Sequence, residues 1–97
     1  MEFEWDEDKR QSIISTREVD ILKAARIFEG EVVTQVDTRR DYGERRLISL
    51  GLVGDEAFVV VHTDRAGATR LITAWKGGRS AKRKYQASLA GRHSANG

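Results

Sequence analysis

The chain has 97 residues, no cysteine and a formal charge of +2, from 17 lysines and arginines against 15 aspartates and glutamates. That length accommodates one small domain, burying roughly 60 to 65% of the surface its unfolded chain would expose. Disulfides and thiolate metal sites are excluded, two histidines (His62 and His93) are too few for a histidine cage, and neither a structural metal nor a cofactor is expected.

The opening Met1-Glu2-Phe3-Glu4-Trp5-Asp6 is acidic and lacks the apolar centre of a signal peptide. No window approaches the roughly 20 apolar residues needed to cross a bilayer, so a cytoplasmic location is expected. Charge is unevenly spread. After Asp64 there is no aspartate or glutamate, while Arg65, Arg70, Lys76, Arg79, Lys82, Arg83, Lys84 and Arg92 contribute +8, leaving the preceding part at −6. One-sided basic charge on a small domain suggests a polyanion, most commonly nucleic acid; a solvated basic helix explains the same charge without a ligand.

In chain order, Glu2-Phe3-Glu4-Trp5 alternates charged and aromatic residues and predicts a short edge strand. Asp6 is suited to cap a helix, with Glu7 and Asp8 in its first turn, running to about Ser15 on a thin apolar face of Ile13 and Ile14. Asp20 caps a second helix whose Ile21, Leu22, Ala24, Ala25, Ile27 and Phe28 fall mostly on one side, covering the sheet. Gly30 ends it, and the β-branched run Glu31–Val36 predicts a strand. Asp37–Gly43 reads as a polar connection. From Glu44 to Trp75 the pattern is a three-stranded antiparallel meander, turning at Gly54-Asp55 and at Asp64–Ala68. Its middle strand carries an uninterrupted apolar run from Phe58 to Val61, which predicts cover on both faces. Gly77-Gly78 breaks the last strand, and Ser80 can cap a final helix on which Ala81, Tyr85, Ser88 and Leu89 share a side. The order β-α-α-β-β-β-β-α predicts an α+β fold, a small antiparallel sheet with helices packed against it, in a single domain of residues 1–90 followed by a disordered tail of residues 91–97.

No G-x-S-x-G, H-E-x-x-H, phosphate loop or dinucleotide fingerprint is present. What remains is a set of arginines and lysines at strand ends. Guanidinium groups suit RNA cleavage, because 2′-hydroxyl attack on the adjacent phosphate needs in-line positioning and neutralisation of a developing dianion.

The spacing of Phe3-Glu4-Trp5-Asp6 and Lys9, Ala24-Ala25 and Phe28, Asp41-Tyr42-Gly43-Glu44 with Arg46, Ile48 and Gly51, Val60-Val61 with Thr63 and Arg65, Arg70-Leu71-Ile72-Thr73-Ala74 and Tyr85 resembles the BrnT family of toxins. The resemblance covers nearly all of the chain from Phe3 to Tyr85. It implies a RelE-like ribonuclease fold, metal-independent cleavage of messenger RNA and neutralisation by a small ribbon-helix-helix antitoxin. It also implies contact with operator DNA only through the antitoxin complex. The sequence departs from the family pattern at Ile13, at Thr16-Arg17-Glu18 where Lys-His-Gly is usual, at Ile21, at Trp75 where arginine is usual, and at Ala81. The alternative that these departures suggest is a catalytically weakened or inactive toxin-like protein that binds its antitoxin and contributes to operon repression.

On this reading Arg46, Lys76 and Arg79 are expected to bind the scissile phosphate in one pocket, with His62 as acid–base candidate. Each has a plainer reading: Arg46 in an ion pair with Glu44 or Asp41, Lys76 and Arg79 as charged neighbours of a glycine turn, and His62 as a hydrated strand-end histidine. Arg17, Arg70, Trp75, Lys82, Arg83 and Lys84 are expected RNA contacts, Trp75 as a base platform and Arg17 as a charge that cannot carry a proton.

Overall fold

The computed structural model describes residues 1–94. A five-stranded sheet runs in the order β1-β5-β4-β3-β2, built from β1 (Phe3–Glu4), β2 (Val33–Val36), β3 (Leu47–Val53), β4 (Glu56–Arg65) and β5 (Ala68–Lys76). Helices α1 (Glu7–Arg17), α2 (Ile21–Ala24, continued by a 3₁₀ turn over Ala25–Glu29) and α3 (Gly78–Ser94) pack against it. Only β1 pairs in parallel, aligning Phe3 with Thr69 and Glu4 with Arg70. The α+β architecture and the element order are those the sequence predicts.

Local chemistry explains most boundaries. Asp6 is extended and accepts the Lys9 amide at 3.2 Å, while Asp20 accepts the Leu22 amide at 2.9 Å, so each carboxylate satisfies a helix-start donor. Asp20 also takes a two-pronged contact from Arg10, both bonds 2.8 Å, which fixes α1 against the start of α2. Helix α1 runs past Ser15 to Arg17 and stops where Glu18 turns left-handed (φ 55°), its amide still bonded to the Ile14 carbonyl.

The core lies between α1, α2 with its 3₁₀ turn, and one sheet face. Ile21, Ala24 and Ile27 meet Phe58, Val60, Leu71 and Ala74, all at most 3% exposed. Strand β3 approaches the 3₁₀ turn closely at Gly51, where a Cβ would sit 2.8 Å from the Ile27 Cβ. Strand β4 is buried from Ala57 to Thr63, as its apolar run predicts. Two tight turns close the meander, with Gly54 at φ 61° and Ala66-Gly67 at φ 52° and 83°, conformations that match strand twist.

Two features place the site. Between β4 and β5 the register shifts, Val61 pairing with Thr73 and His62 with Leu71. Ile72 is therefore an extra residue, a bulge that re-aims Ile72 and Thr73 toward α1. Helix α3 starts earlier than the predicted cap at Ser80 and continues through Gly91 to Ser94. It is held by Tyr85, whose hydroxyl donates to the Glu31 carbonyl at 2.7 Å, and by Arg92, which donates to the Val32 carbonyl at 3.3 Å. The segment from Gly91 that the sequence reads as tail is thus helical to Ser94, and residues 95–97 lie outside the described residues.

Candidate functional site

A concavity of about 450 Å³ opens between α1, the loop joining β2 to β3, and the β4–β5 surface. Helix α1 contributes Lys9, Ser12, Ile13, Thr16 and Arg17, the loop contributes Arg39, Arg40, Tyr42 and Arg46, and the sheet contributes Val61, Ile72, Thr73 and Trp75. No carboxylate is among these lining residues.

Arg46 is the least satisfied of the cations. Its Nε is buried without a hydrogen-bond partner, and its guanidinium lies 4.1 Å above the Tyr42 ring. The ion pair with Glu44 or Asp41 does not form, because Glu44 lies 3.9 Å from Arg65 and Asp41 accepts the Gly43 amide. An unmatched buried donor costs on the order of 1–3 kcal/mol, and the stacked ring recovers part of that through cation–π attraction. Arg40 also lies over Tyr42, at 5.4 Å.

At the other end, Arg17 and Arg39 approach the Trp75 ring at 5.7 and 5.6 Å. Arg17 reaches Thr73 Oγ1 and the Ala74 carbonyl only at 3.4 Å each. Arg39 is bound more firmly. Its Nε and Nη2 donate to the two oxygens of Asp37 at 2.8 Å each, a fork geometry lysine cannot copy. The Arg39 guanidinium, opposed by desolvation and helped by the Arg39 amide and Tyr42, holds the Asp37 carboxyl well below the usual carboxylate range.

The expected convergence of Arg46, Lys76 and Arg79 does not occur. Lys76 follows Trp75 directly, but successive strand residues face opposite sides, so Trp75 enters the arginine pocket while Lys76 joins Arg79 in a separate concavity with Asp55, Glu56 and Lys82. That second space is mixed in charge: Lys82 pairs with Asp55, and Glu56 lies 3.9 Å from Lys23. His62 is also elsewhere. It is 5% exposed, its Nε2 sits 2.7 Å from Ser49 Oγ, itself 2.7 Å from Thr34 Oγ1, and its ring stands edge-on to Phe28 under the helices. Burial pushes its pKa down, with Asp64 partly opposing. The hydrated strand-end reading fails with it.

Of the expected RNA contacts, Arg17 and Trp75 share the pocket with Arg46. Arg70 lies between β1 and β4, opposite Glu4 and Thr63. Arg83 is exposed on α3, and Lys84 borders an apolar groove with Ile48, Leu50 and Val59. None of Lys9, Tyr42, Arg39 and Arg40 was named as a site residue from the sequence: Lys9 and Tyr42 appeared only among the residues carrying the family resemblance, and Arg39 and Arg40 only within a polar connection. Their signal was the pair of adjacent arginines with a nearby aromatic in a loop between strands, which resembles any polar connection.

A family model described as the ribonuclease toxin BrnT of type II toxin–antitoxin systems matches residues 5–84. The chain belongs to the BrnT toxins. The match spans every residue lining the arginine pocket. No match is found among curated proteins. The departures from the BrnT pattern at Ile13, Thr16, Arg17 and Trp75 all line that same pocket, and Arg17 and Trp75 are in contact there. No helix among the described residues is long and apolar enough to cross a membrane.

Proposed function

We propose that this BrnT chain is a metal-independent endoribonuclease acting on messenger RNA, with the scissile phosphate bound in the pocket lined by Arg17, Arg39, Arg40 and Arg46. The observation that carries this reading is Arg46, an arginine with a buried, unpartnered Nε in a concavity whose lining contains no carboxylate. A phosphate oxygen supplies the acceptor that the chain itself withholds.

In the reaction the 2′-oxygen forms a bond to the adjacent phosphorus while the bond to the 5′-oxygen breaks, leaving a 2′,3′-cyclic phosphate and a 5′-hydroxyl. Guanidinium groups meet the charge that builds on the non-bridging oxygens, where preorganised donors contribute most. Trp75, beside Arg17 and Arg39, offers a face on which an unstacked base can rest. No imidazole is among the described residues lining the pocket, so on this reading proton transfer goes to and from water and turnover is modest. The family's toxin–antitoxin pairing supports an antitoxin partner; we take this partner to be a ribbon-helix-helix protein, with operator DNA reached only through that complex.

Incubation of the purified protein with RNA in excess chelator tests the proposal. Cleavage is expected to persist, and Arg46→Ala to slow it by roughly a hundred- to a thousandfold, the usual cost of losing one transition-state donor. The sequestered His62 favours a second reading, a protein that binds its antitoxin without cutting. Intact RNA at saturating protein, with antitoxin binding undisturbed, would establish that one instead.

A further inference from the structure

We infer that Asp37 is a positioning residue for the arginine pocket, holding Arg39 toward the pocket and joining it to the Tyr42–Arg46 pair. The inference rests on the ribonuclease reading and concerns how its site is built. Asp37 is 5% exposed, with its side chain fully covered, and a carboxylate in that position persists only if its acceptors are filled. Arg39 fills both: its side chain takes the two oxygens, and its amide adds a bond at 3.1 Å. The long side chain of Arg39 is thereby fixed at both ends, its backbone and its guanidinium, and the guanidinium rests 5.6 Å from Trp75.

The same residue reaches the other half of the pocket. The Asp37 amide donates to the Arg46 carbonyl at 2.8 Å, continuing the β2–β3 pairing by one step beyond Val36 and Leu47. Tyr42, on which Arg46 is stacked, closes the loop back toward the Asp37–Arg39 pair and contributes to both of their shifts. Asp37 therefore acts from beneath the pocket, through its neighbours, without touching the substrate.

Charge and position make opposite forecasts here. Asp37→Asn removes a negative charge from beside a phosphate site, so attraction for RNA should hold or increase. If Asp37 orients Arg39, the same change slows the chemical step, because small misplacements of a catalytic group cost up to about a hundredfold. The expected result is a kcat reduced about ten- to a hundredfold with KM unchanged or lower. Arg39→Lys keeps the charge but loses the fork, and is expected to give the same loss. Placed on an Arg39→Ala background, Asp37→Asn should add less than about twofold. A normal kcat in Asp37→Asn, a normal kcat in Arg39→Lys, or a full additional loss in the double variant would each overturn the inference while leaving the nuclease reading intact. Should Asp37→Asn not fold, Arg39→Lys alone decides. Absence of cleavage by the unsubstituted chain would overturn both readings.

Discussion

At the scale of single residues, the environment of a side chain decided its role more than its type did. His62 has the pKa range of an acid–base catalyst, yet the fold buries it against Phe28 and ties it to Ser49. Its consequence is for stability. Burial holds the folded imidazole below its ordinary value of 6.5, with Asp64 partly offsetting. Below that pH the unfolded chain takes up the proton first, so the stability associated with this group is complete above about pH 6.5 and declines as pH falls through it. Urea unfolding at about pH 7.5 and about pH 5.5 should show the chain losing stability at the lower pH and His62→Gln losing less. Equal losses would contradict the assignment. The lowered carboxyls of Asp20 and Asp37 act in a more acidic window, where protonation removes their pairing with Arg10 and Arg39. Nothing in a linear sequence distinguishes a buried strand histidine from an accessible one, and Arg46 was legible only because it directly precedes a strand within a recognisable motif.

At the scale of elements, caps, turns and periodicity were readable because they act over three or four residues. Asp6, Asp20, Gly30 and Gly54 each mark the boundary expected of them. Non-local effects were not readable. The bulge at Ile72 shows only in the pairing of β4 with β5, yet it helps turn Ile72 and Thr73 toward α1. The strand-face alternation that separates Trp75 from Lys76 was available in principle, and glycines after Lys76 obscured it by suggesting a flexible phosphate loop. Gly51 supplies a test of the packing. A methyl group there collides with Ile27 at 2.8 Å, and that contact is between a strand backbone and the 3₁₀ turn under it. Gly51→Ala should cost about 1–3 kcal/mol, the usual penalty of overpacking, as a lowered urea midpoint with unchanged slope. An unchanged midpoint would mean that the turn yields without strain.

At the scale of the molecule, the run of basic residues after Asp64 was a poor guide to the site. The pocket draws its cations from the net-negative part of the chain, Lys9 and Arg17 on α1 and Arg39, Arg40 and Arg46 around one loop. Several cations of the basic segment answer nearby carboxylates, as Lys82 does with Asp55 and Arg65 with Glu44. Charge segregation in sequence therefore differs from charge segregation in space, and only the folded sheet brings residues 9, 17, 46 and 75 to one surface. The central claim is that this surface, and not the concavity of Lys76 and Arg79, is where RNA is cut. Metal-free cleavage rates for Arg46→Ala beside a Lys76→Ala/Arg79→Ala double variant test it most directly. The account predicts a loss of at least about a hundredfold for Arg46→Ala and a loss within about fivefold for the double variant; near-normal cleavage by Arg46→Ala with the double variant inactive would contradict it.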